Sequence, residues 1–451
     1  MRKFAFARLD IPSKHIVFFS YLLKMFNGDI TERSEIREKG SQVNRQDIWA
    51  PTGDAISDGK MADILDYLHV AHNGGADIDA FVRSDYGQAY GERIRLGFRF
   101  EEDPAGKAID EHYAGLGLKR RMMQNDDYYQ RWILITPEEM EREAATGRRF
   151  PLVFVNHGGF VPIPTDEFAS GWPQVAAKER IIVVMLQNTN WQNVRRVLDR
   201  LVELCPVDVE RVYMTGESQG GYQVTSAMFR MPERLAAVAP CGNDIWRDWD
   251  NFNTPFTDEE YARLKRTFVP FMQVVGQYEA SNFAPVNDWG PRKNWGRKED
   301  TSHTYRDPRR DDERDPTHIV GGRRAFSDQP APPEGADKHE WMIERLNKRM
   351  DSLGCAPRDA ATCISYLDQA DSELHRVVGF YGDEERTEIH YSAKHWTVDI
   401  RNADGIDAFR YVVAENAPHC WPLMAAELAW DFFRQFRRDA ATGAIIADDR
   451  H

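Results

Sequence analysis

The serine at position 218 is the residue whose surroundings most clearly predict chemistry. It stands at the centre of a G-x-S-x-G motif over residues 216–220, between an apolar strand predicted at residues 212–215 and a helix of small residues. Such a tight turn exposes the serine oxygen, because the flanking glycines carry no side chains to obstruct it. It also places the N–H of Gln219 beside the position where an oxyanion would form. The motif predicts a serine nucleophile, although a glycine-rich turn that only packs a helix on a strand could have the same letters.

A nucleophilic serine needs a base within hydrogen-bond reach and a carboxylate that orients this base. His419 follows the last predicted strand of the central sheet and precedes the last predicted helix, and we expect it to be the base. Glu279 lies four residues after the end of another predicted strand and is the preferred acid. Asp288 on the same loop is the second choice and Asp383 the third, so the choice of acid stays open at this point.

A second group of candidate residues is H-G-G-F at positions 157–160, directly after a strongly apolar predicted strand. We expect the backbone amides of Gly159 and Phe160 to complete an oxyanion hole together with Gln219. His157 is expected to contact the substrate. A tight strand exit without a chemical role is the alternative interpretation of this turn.

Several tryptophans are predicted near the rim of the site. Trp421 lies two residues after the predicted base and is the one that we expect to bind substrate. Trp172, Trp191, Trp246 and Trp249 suit an aromatic pocket and the hydrophobic core equally well.

The elements that would position these residues follow an alternating order. Strands are predicted at residues 129–136, 151–156, 181–186, 212–215, 234–240, 270–275, 397–400 and 409–414, and helices at 172–180, 191–204, 340–353 and 425–437. Alternation of buried strands and helices predicts an α/β fold, in which a mostly parallel sheet is covered by helices on both faces. Ligands bind at the carboxyl ends of strands in such sheets, which is where Ser218 and residues 157–160 are expected.

We expect three regions along the chain. Residues 1–125 are predicted to be an N-terminal extension that packs on the main domain or forms an oligomer contact, with a strand at residues 93–100. Residues 126–438 would form the catalytic domain, interrupted at about residues 285–335 by a densely charged, lid-like insertion. Residues 439–451 would form a C-terminal tail.

Composition excludes several classes of function. The chain has 451 residues, of which 42% are hydrophobic, and a net charge of −14 that would repel nucleic acid and anionic membrane. No run of 18 apolar residues predicts a membrane-spanning helix. Five cysteines and no evident export signal favour reduced thiols and a cytoplasmic location.

Cofactor and metal motifs are not evident in the sequence. No phosphate-binding glycine motif occurs next to a predicted strand. His69 and His72 have a spacing that can share a metal on one helix face, but further ligands are not nearby, and we interpret the pair as incidental. We therefore expect neither a cofactor nor a metal.

Taken together, the motifs resemble the polyhydroxybutyrate depolymerase and feruloyl esterase-like branch of the α/β-hydrolases. The matching segments are YQRWILITP, PLVFVNHGGF, GWPQVAAKERIIVVML, DVERVYMTGESQGGYQVTSAM, LAAVAP, GQYE and APHCWP, within about residues 128–436. The resemblance implies an esterase with Ser218 as nucleophile, His419 as base and oxyanion groups near Gly159 and Gln219. Members commonly have Asp where this chain has Glu279.

These observations predict a serine hydrolase that cleaves small or oligomeric carboxylic esters through an acyl-enzyme. The acyl group could be of the feruloyl or the hydroxyalkanoate kind. A serine peptidase or amidase on the same scaffold, or a non-catalytic binding protein, are the alternatives. The expected partner is the ester substrate, with no nucleic acid or membrane, and a homo-oligomer is possible.

Overall fold

The computed structural model describes most of the chain from residue 78 onward. The described residues are 78–101, 106–123, 131–158, 163–250, 254–277, 279, 281–284, 338–364, 370–417 and 419–447. The predicted insertion, Asp288, and the pair His69 and His72 lie outside these residues.

Ten strands form one large sheet. The strands are β1 (Leu118–Met123), β2 (Trp132–Pro137), β3 (Phe150–Asn156), β4 (Ile182–Leu186), β5 (Val207–Glu217), β6 (Ala237–Cys241), β7 (Phe271–Gly276), β8 (Glu384–His390), β9 (Ala393–Arg401) and β10 (Asp407–Ala414). Their order across the sheet is β1-β2-β4-β3-β5-β6-β7-β10-β9-β8. Six neighbouring strands, β4, β3, β5, β6, β7 and β10, are parallel to one another. β2 runs antiparallel to β4, and β9 runs antiparallel to both β10 and β8.

Helices connect the strands and cover the sheet. The helices are α1 (Ile78–Arg83), α2 (Asp85–Glu101), α3 (Lys107–Gly115), α4 (Met140–Ala144), α5 (Ile163–Ala169), α6 (Trp172–Glu179), α7 (Trp191–Leu204), α8 (Gln219–Arg230), α9 (Asp258–Thr267), α10 (Lys338–Ser352), α11 (Glu373–Val378) and α12 (Ala425–Phe433). A short hairpin of β11 (Phe436–Arg438) and β12 (Ile445–Ala447) follows α12. The predicted α/β class is thereby confirmed.

Two hydrophobic cores lie on opposite faces of the sheet, as the alternation along β3 illustrates. Leu152 and Phe154 belong to one core, together with residues of α7 and α8. Val153 and Val155 belong to the other core, together with residues of α6 and α12. Because both faces of the strand are buried, its sequence is a continuous apolar run.

The described part of the predicted N-terminal extension contains a strand of the sheet. β1 forms one edge and pairs with β2, so the boundary expected near residue 125 falls after the first strand of the sheet. At the other end of the chain, β12 lies within the segment that the sequence analysis treated as a tail.

The prediction of a strand at residues 93–100 is wrong, because this segment belongs to helix α2. Polar and apolar residues alternate in this segment, which is typical of a strand. The buried residues before it are spaced as in a helix. Tyr86 and Tyr90 are four positions apart and both are buried, with Arg93 three positions further on the same face. The last predicted helix is also too long, since α12 ends at Phe433.

Two further observations concern expectations about thiols and membranes. All five cysteines are free, and burial raises the pKa of Cys355 and of Cys363 to about 12. Among the helices that the structure describes, none is both long and apolar enough to cross a bilayer.

Candidate active site

Ser218 occupies a strained turn between β5 and α8. Its φ is 54° and its ψ is −118°, a conformation that a residue with a side chain rarely adopts and that costs about 1–3 kcal/mol. The end of β6 holds the turn in place, because the Ser218 N–H donates to the Cys241 carbonyl at 3.0 Å. The Asn243 side-chain amide donates to the Ser218 carbonyl at 3.2 Å. The turn therefore projects the serine side chain from the carboxyl edge of the sheet.

The two glycines of the motif permit the close approach of three backbone segments. A Cβ on Gly216 would lie 2.6 Å from the Gly220 carbonyl carbon, and one on Gly220 would lie 2.4 Å from the Asn156 carbonyl oxygen. These distances are too short for non-bonded heavy atoms, so alanine at either position would force the turn open. The glycines thus bring the start of α8 against the end of β3.

Ser218, His419 and Glu279 lie in one continuous chain of hydrogen bonds. The Ser218 Oγ lies 2.9 Å from Nε2 of His419. On the other side of the ring, Nδ1 lies 2.8 Å from Oε2 of Glu279. With the proton on Nδ1, the ring donates to the carboxylate and Nε2 is available to accept the serine proton. The structure therefore brings together the serine, the histidine and the glutamate that the sequence predicts as nucleophile, base and preferred acid.

Glu279 is held by three donors. The Gly276 N–H donates to Oε1 at 2.7 Å, and the Ser281 hydroxyl donates to Oε2 at 2.9 Å. The third donor is His419, and the carboxylate is almost completely buried. A buried carboxylate with several donors is fixed in orientation, which is what an orienting acid requires.

Neither alternative acid occupies this position among the described residues. Asp383 lies at the far edge of the sheet, where its side chain accepts from the Arg401 N–H at 2.7 Å. Asp288 lies outside the described residues.

Gly242, the first residue after β6, leaves room for the imidazole. Its φ is 59°, and a Cβ there would lie 3.0 Å from Cε1 of His419 and 3.2 Å from Oε2 of Glu279. Glycine is favoured here both by the backbone conformation and by the lack of space.

The oxyanion donors are described only in part. The N–H of Gln219 is one of the first amides of α8, which have no partner inside the helix. Gly158 donates its N–H to Oδ2 of buried Asp166 at 2.9 Å, so this amide stabilises the turn itself. Gly159 and Phe160, the other predicted donors, lie outside the described residues.

The two residues expected to bind substrate are both buried. His157 makes contacts within the protein, with Nε2 2.9 Å from the Gln187 carbonyl oxygen and Nδ1 2.6 Å from that of Gly158. Trp421 is fully buried within one core, which is the other role that tryptophans could have. Contact of either side chain with substrate stays a prediction.

Sequence reasoning passed over four residues that support the site. These are Glu217, Ser281, Asp166 and Tyr86. Glu217 could have been noticed, since it stands inside the serine motif, and Ser281 and Asp166 lie close in sequence to the residues that they contact. Tyr86 contacts the site only because the fold brings distant segments together. Among the described residues, no group of three or more His, Cys, Asp or Glu side chains could hold a metal ion.

The topology and the site agree on one fold. The serine turn follows β5, the acid follows β7 and the histidine follows β10, in a sheet ordered β1-β2-β4-β3-β5-β6-β7-β10 with β2 antiparallel. This is the chain order of nucleophile, acid and base on an α/β-hydrolase scaffold. The chain has the α/β-hydrolase fold. The mostly parallel sheet with its connecting helices is its framework, and β9 and β8 extend the sheet beyond β10.

Comparisons with known proteins give only distant similarities. No family model matches the chain, and neither does any curated protein. Similar solved structures include a serine-to-alanine mutant of the feruloyl esterase module from Clostridium thermocellum complexed with sinapinate, with 13% identity, a TM-score of 0.29, and coverage of 36% of this chain and 68% of that one. The S-formylglutathione hydrolase from Staphylococcus aureus has 13% identity, a TM-score of 0.29, and coverage of 35% and 77%. A thermostable esterase has 17% identity, a TM-score of 0.26, and coverage of 35% and 46%.

These similarities are too distant to assign a substrate. The resemblance to the polyhydroxybutyrate depolymerase and feruloyl esterase-like branch stays a prediction from the motifs.

Proposed function

We propose that the protein is a serine hydrolase that cleaves carboxylic esters through an acyl-enzyme. The observation that carries this proposal is the hydrogen-bonded series Ser218, His419 and Glu279, with distances of 2.9 Å and 2.8 Å. A serine hydroxyl is a poor nucleophile by itself, and these distances allow a base to remove its proton during attack.

Acylation begins with attack of the Ser218 Oγ on the ester carbonyl carbon. The serine proton passes to Nε2 of His419 as the new C–O bond forms, and the carbonyl oxygen acquires negative charge. Glu279 stays ionised and stabilises the imidazolium through Nδ1. The imidazolium then gives its proton to the leaving alcohol, and the ester C–O bond breaks.

Deacylation repeats these steps with water as the nucleophile. His419 removes a proton from the water, which attacks the acyl-enzyme, and returns the proton to the Ser218 Oγ as the acid product leaves. In both steps the N–H of Gln219 would donate to the oxyanion, together with amides of Gly159 and Phe160. Each such donor contributes roughly a hundredfold or more to turnover.

Substrate preference is tested best with a panel in which the leaving group and the acyl group change separately. We expect hydrolysis of p-nitrophenyl acetate, and of either methyl ferulate or a hydroxybutyrate oligomer. We expect no measurable hydrolysis of peptide anilides, because amides are less reactive and require stronger leaving-group protonation.

Ser218→Ala is the control for this panel. It removes the nucleophile and should lower kcat by about 10⁴-fold or more. Turnover of peptide anilides faster than of esters would favour a peptidase or amidase instead. Binding of esters without turnover, at equal affinity in wild type and Ser218→Ala, would favour a binding protein.

A further inference from the structure

A second buried carboxylate lies against the histidine of the site. Glu217 is the last residue of β5 and directly precedes Ser218. Its side chain is completely buried, and Oε1 lies 3.5 Å from Nε2 of His419. Neither the acyl transfer mechanism above nor the G-x-S-x-G motif requires an acidic residue at this position.

The two carboxylates face different nitrogens of one imidazole. Glu279 accepts from Nδ1 at 2.8 Å and fixes the orientation of the ring. Glu217 lies nearest to Nε2, the nitrogen that receives the serine proton. The charge of Glu217 is therefore placed where positive charge appears during the reaction, and not where the ring is already held.

The field of Glu217 also reaches other groups around the ring. Burial first, and then the carboxylates of Glu217 and Glu279, raise the pKa of Cys241 well above its ordinary value. Burial first, then Cys420 and Glu217, raise the pKa of Tyr90 in the same way.

Several described titratable groups contact His419 or interact electrostatically with the groups beside it. They are Glu217 of β5, Glu279 after β7, Cys241 of β6, Cys420 beside the histidine, Tyr86, Tyr90 and Arg93 of α2, and Asp166 of α5. Arg93 is the cation among them, and it is bonded to the Leu423 carbonyl and lies 3.4 Å from Glu427. Apart from this arginine and the ring itself, the groups are acidic or uncharged.

We propose that Glu217 is a second carboxylate partner of His419, which stabilises the imidazolium formed when Nε2 takes the serine proton. This inference rests on the proposed function. Glu217 acts through the histidine and is therefore a positioning residue. Its charge makes the protonated ring more stable, so the ring of the free protein binds a proton at higher pH than it would with Glu279 alone.

The test follows the reaction of Ser218 with a fluorophosphonate as a function of pH. In this reaction the serine oxygen forms a bond to phosphorus, fluoride leaves, and the serine proton passes to Nε2. The rate falls at low pH, where the ring is already protonated, so the midpoint of this fall reports protonation of His419 without a substrate.

We expect Glu217→Gln to move this midpoint to lower pH by about one unit or more, because the imidazolium loses an attractive charge. Glu217→Asp keeps the charge but withdraws it by one methylene, and should give a smaller shift in the same direction. Glu203→Gln is the matched control: it removes one carboxylate from an exposed position on α7 and should leave the midpoint unchanged.

Each outcome decides one question. If the midpoints of Glu217→Gln and Glu217→Asp both equal that of wild type in folded protein, Glu217 is not a partner of the base. If Glu217→Gln does not fold, the shift in Glu217→Asp decides. A wild-type protein that does not react with the probe at any pH contradicts the proposed function itself.

Discussion

At the scale of single residues, the site depends on how firmly the side chains of Ser218, His419 and Glu279 are held in place. Glu279 receives two hydrogen bonds besides that of the histidine, and Gly242 leaves space on one side of the ring that a Cβ would fill. The orientation of His419 is thus set by groups that never touch a substrate. Substitutions of these groups allow the loss of activity to be compared with the loss of folding stability.

Glu279→Gln should lower kcat by about 10³- to 10⁴-fold with little change in KM. The amide cannot stabilise the imidazolium, and it favours the wrong tautomer of the ring. Steady-state ester hydrolysis measures the loss. Ser281→Ala removes a single hydrogen bond to the carboxylate and should cost only about tenfold. A Glu279→Gln protein with kcat within tenfold of wild type would show that another group orients the base.

Gly242→Ala should lower both stability and activity. The positive φ costs about 1–2 kcal/mol for a residue with a side chain, and the new Cβ would displace the imidazole. Gly405→Ala is a matched control, because Gly405 also has a positive φ of 78° but a Cβ there would meet nothing within 4 Å. Both variants should lose free energy of unfolding in urea, with the larger loss in Gly242→Ala because of its contact with the imidazole, and only Gly242→Ala should lose turnover. Equal turnover in the two variants would contradict the assigned packing.

At the scale of elements, helix α2 supports the loop that carries the base. Its Tyr86 hydroxyl accepts from the Leu423 N–H at 2.5 Å, and Arg93 donates to the Leu423 carbonyl at 2.8 Å. These contacts join residues more than 300 positions apart in the chain. Helix α2 therefore contacts the backbone that follows His419.

Tyr86→Phe should lower kcat several-fold and destabilise the protein by about 1–3 kcal/mol, since a buried N–H loses its acceptor. The measurements are ester hydrolysis and thermal unfolding. Tyr391→Phe, at a half-exposed tyrosine in the turn between β8 and β9, should change neither. Wild-type kcat in Tyr86→Phe would mean that the loop needs no support from α2.

The same elements show what local sequence patterns can predict. The strands β3, β4 and β7 were predictable because each is a short, continuous apolar run. Helix α7 was predictable because its apolar residues recur at helical spacing. Helix α2 was mistaken for a strand in part, because its letters alternate while its burial follows a helical period. Contacts such as Tyr86 to Leu423 carry no local signal at all, since the partner lies at the other end of the chain.

At the scale of the whole molecule, residues 106–123 pack against the sheet and its helices. Arg120 of β1 donates to both oxygens of Glu167 on α5 at 2.6 and 2.8 Å, and the Tyr113 hydroxyl donates to the same carboxylate. Glu167 is completely buried, and Arg120 nearly so. Tyr113 and Arg120, which lie before the predicted boundary near residue 125, therefore contact α5 of the predicted catalytic domain.

The positions of Ser218 and His419 were predictable, because each follows a recognisable strand. The choice of Glu279 over Asp288 and Asp383 stayed open, because Asp288 follows the same predicted strand as Glu279.

Arg120→Ala should destabilise the protein by about 3–5 kcal/mol, because it leaves the buried Glu167 carboxylate without its cation. Urea unfolding measures this loss. The double variant Arg120→Ala with Glu167→Gln should recover part of it, since the remaining group is then uncharged. A loss below about 1 kcal/mol in the single variant would indicate that β1 and α5 are not joined as described.

The convergence of Ser218, His419 and Glu279 is tested most directly by covalent labelling with a fluorophosphonate, followed by mass spectrometry of the modified peptide. We expect a single adduct on Ser218 in the wild-type protein, none in Ser218→Ala, and labelling slower by at least about a hundredfold in His419→Ala, which lacks the base. Wild-type protein that stays unlabelled, an adduct on another residue, or His419→Ala that reacts at the wild-type rate would contradict the account.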